Sequence, residues 1–232
     1  NIKKKYCILI NTYRMILWNK YFTDAKVFKT IWVDPWKIRR QLQYNKLKSL
    51  QMPSCVKLTK YGLFNRFTSA GLVIDNGWFG NVAELCPENT LLYKAIEQRF
   101  FYINKWEQTE FINNMLSRVK IEKVWNGCTS NADIFARCKN IDAMIKSIRN
   151  DGFCSKSLPV PINIGPHGEF VKNGDGQHRI IIGMIMRLSI PVHVIVRHSK
   201  WQDKRNKMKY DKNTNNINNV EYIDHPDMQD IL

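Results

Sequence analysis

The strongest hydrophobic period in the chain runs from Asn131 to Asp151, where Ile134, Cys138, Ile141, Ile145 and Ile148 recur at helical spacing and Arg137, Lys146 and Arg149 fall on other faces. Ser130 or Asn131 caps this helix, and Asp151-Gly152 ends it, glycine taking the left-handed C-terminal position. Val160 to Ile164, a short apolar run bounded by prolines, predicts a strand. Gly165-Pro166-His167-Gly168 is a turn, and Glu169 to Lys172 returns beside the strand as a hairpin. After a polar break at Asn173-Gly174-Asp175-Gly176, the stretch IIIGMIMRL has the length and apolar density of a buried helix. The β-branched run Val192 to Val196, beyond Pro191, predicts another strand.

Upstream the pattern is weaker. Residues 1 to 22 read as a helix with Ile8, Met15, Trp18 and Phe22 near one face, and Ile31 to Val33 as a short strand stopped by Asp34-Pro35, with Pro35 opening a helix. Residues 45 to 70 have little periodicity and no assignment. Gly71 to Ile74 predicts a strand ending in the tight turn Asp75-Asn76-Gly77-Trp78, with its aromatic expected to be exposed. Thr90 caps a helix carrying Leu92, Ile96, Arg99 and Phe100. Trp106 begins a second, through Phe111, Met115 and Val119, with Glu107, Thr109 and Glu110 in its first turn; together the two make an αα-hairpin. Asp142 is expected at the surface, residues 203 to 219 in a polar loop, and His225 and Asp227, straddling Pro226, in a rigid turn that holds a metal or anchors the tail.

Composition narrows the class without fixing the function. A chain of 232 residues with 44% hydrophobic content has enough apolar side chains for a buried core. Its net charge of +16 points to a polyanion, nucleic acid or an anionic membrane surface. The joint richness in Lys, Asn and Ile is also what an AT-rich coding sequence favours. Six cysteines without a C-x-x-C pair argue against a zinc site or a disulfide framework, so reduced thiols in a cytoplasmic protein are expected. No apolar run approaches the roughly 20 residues that span a bilayer. Lys3-Lys4-Lys5 before YCILI leaves open a basic amphipathic helix resting on a membrane.

The turn at Gly174–Gly176 opens directly into a helix, and its chemistry follows from that. The first N–H groups of a helix lack partners and carry the positive end of the dipole, so an anion is favoured there, and glycines allow close approach. His178 and Arg179 add donors, and Arg179 brings a planar fork suited to phosphate oxygens. Asp175 holds a metal ion, accepts a proton, or simply caps the helix. Arg197, His198 and Trp201 stand at the exit of the last strand, where substrate groups collect in α/β folds; His198 is placed for acid–base work, and Arg197 and Trp201 for substrate binding.

Asp175-Gly176-Gln177-His178-Arg179, followed by an apolar helix and a Pro-Val strand, resembles the phosphate-binding signature of the ParB/sulfiredoxin superfamily. Sulfiredoxins carry Gly-Cys-His-Arg here, ParB proteins a Gly-Glu-Arg-Arg type sequence and the free serine kinases Asp-Gly-His-His-Arg, the form most similar to this one. Gln177 stands at the reactive cysteine of sulfiredoxins, so sulfinic acid reduction is not expected, and His178 stands where ParB has an arginine. The segments Trp106–Thr109, Arg197–Gln202 and His225–Asp227 resemble those of a larger, ParB-like group. The resemblance implies an α+β fold: a ParB/sulfiredoxin-like core of mixed sheet and helices at 126–202, an N-terminal, mainly helical region at 1–125, and a polar linker with a C-terminal segment at 203–232. It also implies nucleotide phosphates bound by Gly174, Gly176, Gln177, His178 and Arg179. The favoured function is a Mg-dependent phosphotransferase using ATP or another nucleoside triphosphate on a hydroxyl of a small molecule or sugar. Asp175 would be the metal ligand, and Asp175, His178, His198 and Glu169 the candidates for chemistry. Glu169 enters by proximity, as a stand-in for the upstream catalytic Glu of the serine kinases. The alternatives are a ParB-like DNA-binding protein or nuclease, and a nucleotide-sensing module without turnover.

Overall fold

A computed structural model describes residues 21–102, 105–154, 158–214 and 222–232. The chain is α+β, as expected. Seven strands form one mixed sheet: β1 (Thr30–Val33), β2 (Arg40–Leu42), β3 (Leu72–Ile74), β4 (Val82–Glu84), β5 (Val160–Ile164), β6 (Phe170–Lys172) and β7 (Ile190–His198). Five helices are described: α1 (Leu91–Tyr102), α2 (Glu110–Glu122), α3 (Asn131–Asp151), α4 (Gln177–Met186) and α5 (Ser199–Asn213). The helix expected at residues 1–22 lies almost wholly outside the described residues.

The chain divides into two compact units. One comprises residues up to Leu85, Pro159–Gly176 and Pro191–Leu232, and holds the sheet and α5; the other, Cys86–Leu158 and Gln177–Ile190, is helical. This partition departs from three consecutive segments. The region before residue 126 supplies four strands, of which β1 and β3 were expected and β2 and β4 were not; β1 and β3 pair with β7, β2 with β6, and β4 with β2, so their backbone groups are satisfied within the one sheet.

In the sheet unit the order is β1-β7-β5-β6-β2-β4, with β3 also on β7. β5 and β6 form the expected hairpin, Ile162 opposite Lys172 and Ile164 opposite Phe170, while β7 runs parallel to β5. β7 and β5 are buried on both faces almost throughout and mainly apolar, as central strands of such a sheet are. A core cluster with Leu47, Phe64, Leu72, Ile74, Val171 and Ile195 closes around Trp78. Trp78 is therefore not the exposed aromatic that its Gly turn suggested: it is 0% exposed, and its indole donates to Ile74 O at 3.0 Å. After Asp34-Pro35 only a single 3-10 turn forms.

The helical unit follows its sequence pattern closely. All five stripe residues of α3 are buried, Ser130 caps it in a box with Asp133, and Gly152 ends it at φ 65°. Thr109, not Trp106, caps α2. Trp106 lies in a preceding 3-10 turn, buried, with its indole donating to Asp142. Asp142 also receives Arg99 through two guanidinium nitrogens, so it ties α1 to α3 and is no bystander at the surface.

The segment from Ser199 to Asn213, largely expected to be loop, is the helix α5. Its inward face is Trp201, Gln202, Arg205 and Met208; the two polar groups are tolerable there because Gln202 is hydrogen-bonded to Thr23, Asp24 and Asn206 and Arg205 is ion-paired. Arg205 reaches Asp230 with both terminal nitrogens, at 3.0 and 3.1 Å, and lies 3.5 Å from Asp227. Thus α5 and the C-terminal segment fix each other.

Candidate functional site

The motif is divided by the boundary between units, Gly176 ending a segment of one and Gln177 opening a segment of the other. In the sheet unit, Gly174 and Gly176 have φ of +97° and +102°, values that L side chains rarely adopt. A Cβ on Gly176 would lie 2.6 Å from the Val160 side chain, and one on Gly174 the same distance from Leu63. Both glycines are therefore required by the turn and its packing, whatever they bind. Gly176→Ala is expected to cost about 1–3 kcal/mol through backbone strain and overpacking, read as a fall in the urea midpoint. An unchanged midpoint would refute the strain.

Asp175 is exposed in this turn. Next to it, Lys172 is only 5% exposed and donates to Gly174 O at 2.8 Å. Burial holds the ammonium below the usual lysine range, and the Asp175 charge opposes that shift. Lys172 was not among the expected site residues, and its place at the end of an apolar strand gave little to single it out. Among the described residues no group of three or more His, Cys, Asp or Glu is arranged to hold a metal ion. Asp175 is therefore a single carboxylate, without a cluster of further ligands among the described residues.

In the helical unit, α4 begins at Gln177, and His178 and Arg179 occupy its first turn. Burial first, then the charges of Arg137 and Arg179, push the His178 imidazole down to about 4, so the ring is neutral near neutral pH. Arg137 comes from α3, off its apolar stripe, and donates through Nη1 to Asn126 O at 2.8 Å. Two buried polar atoms, Arg137 Nε and His178 Nε2, have no hydrogen-bond partner among the described residues. Unpaired buried polar atoms are costly, so these two stand out among the polar groups of the unit. Arg137 was read only as a residue facing away from the core; a cation opposite a helical stripe has no sequence signal that separates it from a solvated one.

His198 and Glu169 lie together in the sheet unit, joined by Asp75. His198 Nδ1 accepts the Lys200 N–H at 3.2 Å and caps α5, which assigns the ring proton to Nε2, 3.1 Å from Asp75 Oδ1. Burial lowers the imidazole pKa, against the pull of Asp75 and Glu169. With both nitrogens engaged, His198 has no lone pair for a substrate proton; the group presented to solvent is the Asp75 carboxylate, 57% exposed. Glu169 Oε2 accepts the His167 N–H at 2.9 Å, and together with the Phe79 ring it fills the space a Cβ on Gly165 would need.

Arg197 and Trp201, expected at the substrate, are instead in the interior. Arg197 is 5% and Trp201 0% exposed, and both donate to Asp227, Arg197 through Nε at 2.8 Å and also through Nη2, Trp201 through its indole at 3.0 Å. Arg197 holds the Asp227 carboxyl below the usual range despite burial. His225 accepts the Asp227 N–H and contacts Gly168 O at 3.0 Å, so this pair anchors the tail. The physical reason is β7: its last residues are still inside the sheet and covered by α5, not at an open strand exit. No family model, curated protein or solved structure matches this chain.

Proposed function

We propose that the chain binds a nucleotide through its phosphate groups at the start of α4. The observation that carries this reading is a pair of buried polar atoms without partners among the described residues: His178 Nε2, in the first turn of α4, whose dipole favours an anion, and Arg137 Nε, from α3, whose charge acts on that imidazole. Phosphate oxygens fit such donors, and Arg137 and Arg179 supply the charge. ATP is the expected nucleotide, from the resemblance of Asp175–Arg179 to the kinase form of the motif. Magnesium would supply charge neutralisation along the triphosphate, with Asp175 as the single carboxylate of this chain at the motif.

The finer reading is phosphoryl transfer to a hydroxyl of a small molecule or sugar, a reaction that needs chiefly positioning and charge neutralisation. In this reading the acceptor proton passes to a carboxylate. Within the sheet unit the carboxylates with that chemistry are Glu169 and Asp75, one oxygen of which is held by His198. Calorimetry with ATP and Mg²⁺ tests the binding claim. Arg137→Ala and Arg179→Ala are each expected to weaken ATP by at least about tenfold, the loss of one hydrogen bond to a charged group. Unchanged ATP affinity in both variants rules the site out. Binding with no phosphoryl transfer to any hydroxyl acceptor would leave a nucleotide-sensing module.

A further inference from the structure

Between Asp34 and Asp75 lie forty consecutive residues, 35–74, that hold eight of the chain's 36 Lys and Arg and none of its 20 Asp and Glu. Half of the net charge of +16 therefore resides in one segment of the sheet unit. Between Leu42 and Ser69 the segment is anchored in the core by Leu47, Val56, Leu63 and Phe64, and its lysines and several of its aromatics are not buried. Its middle is a tight hairpin in which Thr59 N–H donates to Leu63 O and Asn65 N–H to Lys57 O. The loop at Asn45 is fastened to it by the Asn45 N–H on Tyr61 O at 2.8 Å.

Large aromatics of this segment are exposed. Tyr44 is 60%, Tyr61 54% and Phe67 57% exposed, unlike Phe64, which is 1% exposed in the same hairpin. The rings of Tyr44 and Tyr61 meet edge to face with centroids 6.1 Å apart. Cations accompany the rings: Lys60 Nζ is 4.9 Å from the Tyr61 ring centre, and the Arg66 guanidinium 4.7 Å from that of Phe67. Lys48 Nζ donates to Lys60 O at 2.7 Å, which places a second ammonium at the Tyr61 turn. None of these cations makes an ion pair with a carboxylate among the described residues.

We propose that this face, with Tyr44 and Tyr61 as stacking platforms and Lys48 and Lys60 as phosphate contacts, binds single-stranded nucleic acid. A single strand presents bare π-faces to aromatic rings and a regular row of phosphates to unpaired cations, and a surface that interleaves the two matches both at once. A duplex hides its base faces and would find only the cations. This site is independent of the phosphate site at α4 and stands or falls without it.

Fluorescence anisotropy of the full chain with labelled DNA and RNA homopolymers of about 15 nucleotides, a length that covers such a surface, tests it. Both single strands are expected to bind, more tightly than a duplex of the same length, and the DNA and RNA arms identify the preferred sugar. The Tyr44→Ala/Tyr61→Ala variant should weaken binding by roughly tenfold to a hundredfold, the loss of one stacked base, whereas Tyr44→Phe/Tyr61→Phe keeps it. Lys48→Gln/Lys60→Gln should lower the slope of log affinity against log salt by about one to two, and Arg179→Ala should leave oligonucleotide affinity unchanged. The proposal is overturned by no binding at low salt, by equal or tighter duplex binding, by alanine variants that bind as the parent does while thermal melting shows them folded, or by binding to vesicles of anionic lipid in place of either strand.

Discussion

Asp227→Ala is expected to cost about 3–5 kcal/mol, the range for removing one partner of a buried ion pair, and so much of a typical domain's stability of about 5–15 kcal/mol. Asp227 is 3% exposed and accepts from Arg197 and Trp201, with Arg205, 0% exposed, 3.5 Å away. Truncation leaves two guanidiniums buried beside the site of the lost charge. The C-terminal segment is held to the sheet unit through the same residue and through Asp230, so α5 loses its inner partner together with the pair. Urea unfolding of the two proteins measures the difference. A loss below about 1 kcal/mol, the range of an exposed ion pair, would show that Asp227 is not the tie described.

Acid is expected to destabilise the protein well above the carboxylate range. His178, His193, His198 and His225 all have pKa values lowered from 6.5, burial being the largest cause in each, and His178 lies at about 4. As pH falls through about 6.5 the unfolded chain takes up protons that the folded chain refuses, so the unfolded state gains. For His178 alone the loss between neutral pH and about pH 5 comes to about 2 kcal/mol. Asp24 and Asp227, lowered from 3.8, act in the other window: their contribution is present above 3.8 and is lost as pH falls through their folded values. Urea midpoints should therefore fall markedly between about pH 7.5 and pH 5, and fall less in His178→Gln. Equal midpoints at both pH values contradict the buried neutral imidazoles.

How legible these features were in the letters depended on what each element buries. α3 was legible because it buries an all-apolar stripe, and β5, β6, α4 and β7 because apolar runs alternate there with Gly and Pro breaks. α5 was not, since it buries Gln202 and Arg205, whose partners Asp24, Asp227 and Asp230 are far away in the chain. Trp78 gave the same difficulty in reverse: a turn residue in sequence, it is drawn inward by strand neighbours that are all buried.

The site was legible only where its residues are consecutive. His178 and Arg179 stand in the motif itself. Arg137 and Asp75 reach their partners through tertiary folding, from α3 and from the turn after β3, and no local spacing marks either one. Lys172 is part of an apolar strand, and its ammonium turns back to the glycine turn only because the hairpin ends there. The segment 45–70, without a period to read, is held by the scattered buried residues Leu47, Val56, Leu63, Phe64 and Ala70 and leaves Tyr61 and Phe67 outside.

The most direct test of the proposed phosphate site is the His178 imidazole itself, followed by NMR as a function of pH with and without saturating ATP and assigned by loss of its signals in His178→Gln. Without nucleotide the ring is expected to titrate at about 4. A phosphate engaging Nε2 favours the imidazolium, so with ATP bound the pKa should rise by more than about one unit, and ATP affinity should rise as pH falls toward the free value. ATP that binds and leaves the His178 titration at about 4, or that does not bind at all, contradicts the account.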